Sequence, residues 1–374
     1  MRLIAGRVSY LCAFHTIRSM HPRNASLDLL RALAILMVLT THIANSFARG
    51  TPLANWLSVG GRGVDLFFVL SGWLLGSQLF REVHTTGTVD VKRFWIRRWL
   101  RTLPAYYAVL LATFAQLIVQ GRANLIDWRY VVFLQNYLPE MPYLGVTWSL
   151  CVEEHFYLAI APAILFAHRY RWAFAFVTLA VVTLIVAHIL GYYTHREDYH
   201  IRETHVVFVQ CLTGVLLAGI AEFRPRTWHI LRKVSGIWAL LSLLLILVAS
   251  WNRTYGGWML PDWGTGGWAL LFAGWIVLAN SSAFWRTTVK SRTISFVAMR
   301  AYSIYLVHTE AIRAAEKLHV LPTEWQVTLA VVLAFAGAEI LYRAVERPCY
   351  RLRDRWAKPH HSSPSSSSGS SIGR

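Results

Sequence analysis

Charge is what this sequence has least of. Only 15% of its 374 residues are Asp, Glu, Lys or Arg, against about 25% in an ordinary soluble chain. Acidic groups are scarcest, 19 against 37 Lys plus Arg. The four cysteines, Cys12, Cys151, Cys211 and Cys349, are scattered and form no CxxC pair. That excludes a disulfide framework or a cysteine zinc site and leaves them as buried spectators; no metal site is expected. Strict apolar–polar alternation is missing as well, which excludes a porin-like barrel. The arginine-flanked "LIAGRVSYLCAF" has no apolar core followed by a cleavage site, so no signal peptide is expected. Met20, just before "HPRNASLDLLRALA", offers an alternative start.

What the chain does have is apolar length. Hydrophobic residues make up 55%, in runs near the ~20 residues that cross ~30 Å of hydrocarbon. Ten spans are expected, at 29–47, 62–80, 101–120, 147–167, 172–191, 205–221, 235–251, 264–281, 299–315 and 325–344. The fold class is therefore all-α, a polytopic membrane protein. With the N-terminus inside, inner segments hold 27 Lys plus Arg and outer loops 9, a threefold bias that puts both termini in the cytoplasm. The net charge of +18 would suggest nucleic acid in a soluble protein; distributed this way it is a topological signal, with anionic membrane lipid as partner and no nucleic acid. Residues 128–138 are too short to cross and are expected to be interfacial or re-entrant. Residues 1–23 form a short basic extension, 24–356 the transmembrane domain, and the Ser-rich 357–374 a disordered tail. The sequon at Asn24 falls on the inner side and is expected to carry no glycan.

Several polar groups interrupt the apolar runs. Arg31 and His42 are 11 residues apart, which places them on one helix face about 16 Å apart along the axis. Asp28 is three residues before Arg31, close enough to pair with it. Arg31 either snorkels to the interface or faces a polar interior; His42 is either a satisfied bundle histidine or, being mid-span, the mark of a polar cavity. In "GGRGVDLFFVLSGWLLG", Asp65 opens an apolar helix as a cap or as a functional carboxylate, while Ser71 and Gly72 suit close helix packing. In "RFWIRRWLRTLPAYY", after Arg93, Arg98 and Arg101 are spaced i, i+3 and Arg97 and Arg101 i, i+4, so they converge on one face. They serve either as membrane anchors or as a grip on phosphates arriving from the cytosol.

"VTWSLCVEEHFYLAIAP" sets Glu153 and Glu154 side by side at a span entrance, with Ser149 and Tyr157 four residues either side of Glu153. Packing does not justify two carboxylates there, so at least one is expected to be functional. His308 in "AMRAYSIYLVHTEAI" makes a structural hydrogen bond or touches substrate. Glu346 and Arg347 are expected to form an end-of-helix ion pair, with Pro348 stopping the helix.

Taken in order, Asp28…Arg31…His42, GGxGVDLFFVLSG, RRxxR, TWSLxxEExFY, YSIYLVH and VERP resemble the acyltransferase-3 family of membrane O-acyltransferases, over residues 23 to about 355. The resemblance implies a ten-span domain in a bacterial inner membrane that moves an acyl group, usually acetyl, from cytoplasmic acyl-CoA to a glycan or lipid-linked saccharide. Acyl-CoA would be a cosubstrate, with no permanently bound cofactor. The family's arginine and histidine match Arg31 and His42, its RxxR motif Arg98 and Arg101, and its glutamate Glu153. The sequence departs in having His155 where many members carry glutamine, and Cys151 at a variable position. Some members add a soluble hydrolase-like domain; here a short tail follows, so acceptor handling is expected from the membrane part or another protein.

On that footing His42 is the expected base, Glu153 its orienting carboxylate, Arg98, Arg101 and Arg97 the donor site, and Arg31 an oxyanion or thioester contact. Asp28, Asp65, Ser71, Ser149, Glu154, Tyr157 and His308 are supporting residues. The outer aromatics Trp251, Tyr255, Trp258, Trp263 and Trp268 suit either sugar stacking or interfacial belting. A transporter or flippase of acyl groups or lipid-linked glycans is the rival reading, though no inverted repeat favours it.

Overall fold

The structure, a computed structural model, describes residues 24–169, 182, 186, 202–256, 264–281 and 291–356. The expected span at 172–191, Cys12 and both tails lie outside these residues, apart from the two helical positions 182 and 186. Among the described residues the chain is helical, joined by turns. The helices are α1 (Ala25–Phe47), the short α2 (Pro52–Leu57), α3 (Gly63–Thr86), α4 (Val91–Val119) and α5 (Trp148–Arg169). After the gap come α6 (Thr204–Phe223), α7 (Pro225–Tyr255), α8 (Gly264–Ser281), α9 (Arg292–Glu316), α10 (Thr323–Leu341) and α11 (Arg347–Trp356).

Seven helical stretches among these residues are long and apolar enough to cross a bilayer, and a shorter apolar helix, Gly266–Ser281, falls below that length. The expected ninth span corresponds to α9, which is not one of the seven. Its polar residues account for this: Arg300, Ser303 and His308 are buried, so α9 turns them to the bundle interior instead of offering a uniformly apolar surface. α7 is the opposite case, with Leu240, Leu241, Leu243, Leu244 and Leu247 all exposed, as expected of a helix bordering lipid.

Asn24 starts α1 by accepting from the Ser26 N–H, and its amide reaches Asn280 Oδ1 at 3.3 Å. The sequon asparagine is thus a helix cap. The tightest helix contact joins α3 to α6. A Cβ on Gly72 would lie 1.9 Å from the Cys211 carbonyl oxygen, and one on Gly214 2.1 Å from that of Val69. Two glycines facing each other let the backbones meet where any side chain would intrude.

The expected interfacial piece at 128–138 is a compact plug beside α4, built on the 3-10 turns Trp128–Tyr130 and Gln135–Tyr137. Tyr106 Oη donates to the Tyr130 carbonyl at 2.6 Å, and Gln135 Nε2 donates to Tyr106 Oη and Thr147 Oγ1. Phe133 and Leu144, at φ 59° and 45°, adopt left-handed conformations on either side of the second turn. Asp127 bonds the Arg129 guanidinium, which holds its carboxyl below the usual carboxylate range.

The end of the chain differs from expectation. Arg347 is exposed and Glu346 is 1% exposed, bonded to Ser303 and Tyr350 rather than to Arg347. Pro348 does not stop the helix. A π turn, Tyr342–Glu346, precedes it, and the helix runs on through Pro348 into α11.

The glycine contact yields a paired test. Gly214→Ala should destabilise the protein by about 1–3 kcal/mol, because its Cβ meets backbone. Gly236→Ala on exposed α7, with nothing within 4 Å, should be neutral or gain up to about 1 kcal/mol. Thermal unfolding in detergent reads both; equal melting points would show that the α3–α6 approach is slack.

Candidate active site

Six helices converge on one cavity of about 290 Å³. Arg31 enters from α1, Ser71 and Gln78 from α3, Arg98 and Arg101 from α4, and Ser149, Glu153 and Tyr157 from α5. Tyr302 and Tyr305 come from α9 and Tyr350 from α11. On α3 the lining runs from Val64 to Gln78, about 21 Å of helix. Phe67, Phe68, Leu74 and Leu75 make that wall apolar.

The cavity has one strongly basic end. Arg98 Nη2 donates to Gln78 Oε1 at 2.5 Å, and its guanidinium lies 5.6 Å from the Phe94 ring centroid. Its Nε is buried without a hydrogen-bond partner among the described residues. Arg101 lines the same end and makes no direct ion pair there; the carboxylates that reach it electrostatically are Glu153 and Glu346. Arg31 is held by Asp28 at 2.6 Å, an i, i+3 pair that neutralises a cation one turn inside α1. Arg97 does not line the cavity; the charges that act on it include Arg93 on its own helix and Arg353 on α11. The three arginines therefore separate into an inner pair and an outer member.

Glu153 stands mid-cavity. Ser71 Oγ donates to Oε1 at 3.0 Å and Tyr157 Oη to Oε2 at 2.9 Å, which fixes the carboxylate in one orientation. Its neighbour Glu154, about 100° round the helix, is buried against α4 and accepts from Thr102 Oγ1 at 2.7 Å. The adjacent carboxylates thus part, one to the cavity and one to a helix contact. Asp65 is also outside the cavity. It sits in the first turn of α3, accepts from Gln210 Nε2 of α6 at 2.7 Å and lies 3.5 Å from Arg62 Nη1. His155 Nδ1 is 2.7 Å from Thr204 Oγ1, a tie from α5 to α6.

His42 lies beyond the cavity, and no hydrogen bond joins it to Glu153. Its ring packs on His308, with centroids 5.1 Å apart. α9 builds the connection between cavity and histidines. Tyr302 Oη donates to the Thr102 carbonyl at 2.9 Å, Tyr305 Oη donates to the Val146 carbonyl at 2.7 Å, and Ser149 Oγ is 2.6 Å from Tyr305 Oη. The Tyr305 ring then packs on His308 at 5.6 Å. Each step is three residues, about 4.5 Å of rise. His308 Nδ1 lies 2.7 Å from the Tyr305 carbonyl, so that nitrogen carries the proton. Its Nε2 is left buried without a partner among the described residues.

The sequence reading missed Tyr302, Tyr305, Tyr350 and Gln78, and also the scaffold ion pair of Arg300 with Glu339, which in turn binds Arg343. Opposite charges in consecutive expected spans were the available signal for that pair. Of the outer aromatics, Trp251 and Tyr255 are exposed and in ring contact. Trp268 is buried under the Arg62 guanidinium and unavailable to a sugar. Trp258 and Trp263 lie outside the described residues. Cys151 and Cys211 are buried and Cys349 half-buried.

The partition of Glu153 and Glu154 is open to test. Thr102→Val removes the hydroxyl that serves Glu154 and should cost about 1–2 kcal/mol in detergent unfolding. An unchanged stability would show that the carboxyl is satisfied without it.

Comparison with known proteins gives a consistent picture. An acyltransferase domain family matches residues 24–343. The O-acetyltransferase OatA of Staphylococcus aureus (strain NCTC 8325) is 28% identical over 357 residues, covering 86% of this chain and 56% of that protein. A putative O-acetyltransferase of Staphylococcus aureus (strain COL) is 26% identical over 356 residues with the same coverage. The chain spans about half the length of the curated relatives it matches. No solved structure matches it.

Proposed function

The chain belongs to the acyltransferase family that its residues 24–343 match, and from that premise we propose that it is a membrane-embedded O-acyltransferase. It moves an acyl group, acetyl by preference, from cytoplasmic acyl-CoA to a hydroxyl of a glycan or lipid-linked saccharide. In this reading the chain makes ten spans in a bacterial inner membrane, with both termini and the arginine-rich end of the cavity in the cytoplasm. The carrying observation is the elongated cavity itself. It has unpaired guanidinium capacity at one end, an apolar wall along α3, and a tyrosine–histidine ladder to His42 at the other.

Arg98 and Arg101 grip the donor's diphosphate, as guanidinium groups suit bidentate phosphate binding. The donor's arm lies along the α3 wall and brings the thioester toward Tyr305. His42 takes the proton of the acceptor hydroxyl, and the freed oxygen bonds to the thioester carbonyl carbon. The C–S bond breaks, and the departing thiolate receives the proton from the His42 imidazolium. Passage through an acyl-histidine satisfies the same balance. Glu153 sets the potential of the cavity beside Arg101 and leaves the orientation of His42 to His308. Arg31, already paired with Asp28 about 16 Å along α1 from His42, adds to the positive charge at the donor end of the cavity.

Two measurements test this. His42→Ala should lower acyl transfer by at least the 10²–10⁴ that a general base supplies, with unchanged membrane abundance, scored by mass spectrometry of glycan acetyl groups. A normally expressed, fully active His42→Ala protein would remove the central claim. Arg98→Ala with Arg101→Ala should raise KM for acetyl-CoA about tenfold or more, from the loss of charge-assisted hydrogen bonds, and leave acceptor KM nearly unchanged. Equal loss for both substrates would make these arginines structural.

A further inference from the structure

The family match ends at residue 343, yet the cavity is completed by Tyr350, seven residues later. Everything between is ordered around that tyrosine. The π turn carries Glu346 inward, where it accepts from Ser303 of α9 and from Tyr350 Oη. α11 then packs along α4. One turn past Tyr350, the Arg353 guanidinium lies 5.1 Å from its ring centroid. Arg97 lies on α4, the helix against which α11 packs, and the positive charges of Arg93 and Arg353 both act on it.

Two cations brought together need a reason, because like charges in proximity cost stability. Arg97 makes no hydrogen bond to another described residue. Arg353 is held by Asp354, at 2.8 Å from Nη2, but that carboxylate is largely exposed and belongs to the neighbouring residue. Glu82, the other acid nearby, accepts from the Asp90 N–H at 2.9 Å. Exposed pairs of this kind contribute little, so the two acids leave the cations open to a stronger anion. α11 itself carries Arg347, Arg351, Arg353 and Arg355 against the single Asp354.

We propose that Arg97 and Arg353 form an outer phosphate site at the rim of the cavity, which takes the 3′-phosphomonoester of a coenzyme A donor. The inference rests on the acyl-CoA reading above and extends it to a segment beyond the matched domain. Coenzyme A presents its groups in a fixed order: thioester, pantetheine arm, diphosphate, adenosine ribose with its 3′-phosphate. The protein presents a matching order: the histidine end, the apolar α3 wall, Arg98 with Arg101, then Arg97 with Arg353. A dianionic phosphomonoester between two guanidinium groups relieves their repulsion and accepts charge-assisted hydrogen bonds from both. Tyr350 joins the two positions, with its phenol on Glu346 and its ring under Arg353. Glu346 acts as a positioning residue for that ring.

The test compares acetyl-CoA with acetyl-dephospho-CoA, which lacks only the 3′-phosphate, using full-length protein in detergent and thiol release as the readout. The wild type should prefer acetyl-CoA by about ten- to a hundredfold in kcat/KM, the range of a few charge-assisted hydrogen bonds. In Arg97→Ala/Arg353→Ala that ratio should fall to about one, with the loss in KM and kcat for acetyl-CoA retained at saturation. Arg353→Ala alone, at the end of the fold, should lower the ratio part of the way if the double variant does not accumulate. Equal use of the two donors by the wild type overturns the outer site and leaves the acyl-CoA reading intact. So does a wild-type ratio in the variants. No turnover of either thioester by the wild type overturns both.

Discussion

Hydrocarbon cannot solvate a charge, so each ionised side chain in this bundle must be answered by another group inside it. That constraint sorts the polar residues more cleanly than their sequence context does. Arg300 is answered by Glu339, Glu154 by Thr102, Asp65 by Gln210, Glu346 by Ser303 and Tyr350, and Arg31 by Asp28. Each of these ties adjacent turns or neighbouring helices. Arg98 and Arg101 stand apart. One is held by a neutral amide and keeps an unmatched N–H, and the other feels carboxylates without bonding one. Positive charge left over beside a cavity is what an anion would neutralise, and the donor site proposed above rests on it.

α9 is the element on which scaffold and site depend together. It is too polar to rank with the apolar spans, since Arg300, Ser303, Tyr305 and His308 all point inward. Arg300 locks it to α10, Ser303 holds the π turn through Glu346, and Tyr302, Tyr305 and His308 step from the cavity to His42. α7, by contrast, turns a leucine face outward and bonds to α8 through Arg232, Ser235 and Ser242. α9 carries scaffold and site contacts on the same inward face.

Much of this was legible in the sequence, and the reasons are particular. Apolar length located α1, α3, α4, α5, α6, α7, α8 and α10. The i, i+11 relation put Arg31 and His42 on one face, and the Asp28–Arg31 pair followed from spacing alone. What helix spacing could not resolve was which neighbour each face meets. Glu153 and Glu154 are adjacent in sequence, and only the positions of α3 and α4 decide that the first enters the cavity and the second a helix contact. Arg97 and Arg98 divide in the same way. Asp65 has the position of a cap, but Gln210, 145 residues later, takes its oxygen. Glu346 next to Arg347 invites an ion pair, but the π turn rotates the two apart, and a π turn has no simple sequence signal.

The separation of the arginine end from the histidines bears on the chemical nature of the donor. Reacting atoms must approach to about 3–3.5 Å, and His42 is not on the cavity wall. With the roles proposed above, a compact activated acyl group, such as an acyl phosphate gripped by Arg98 and Arg101, would hold its carbonyl at the arginine end, far from the His42 ring proposed as base. A donor whose anionic handle and reactive carbonyl lie at opposite ends of a long arm meets both requirements at once. Its phosphates stay at the guanidinium groups while the arm follows the roughly 21 Å of α3 lining between Gln78 and Val64. That wall is apolar in its upper half and has no fixed charge above Glu153, which suits an uncharged arm and would penalise a second anionic group there. On the proposed roles of His42 and the arginines, that separation is a constraint on the donor, and the acyl thioester proposed above satisfies it through its long pantetheine arm.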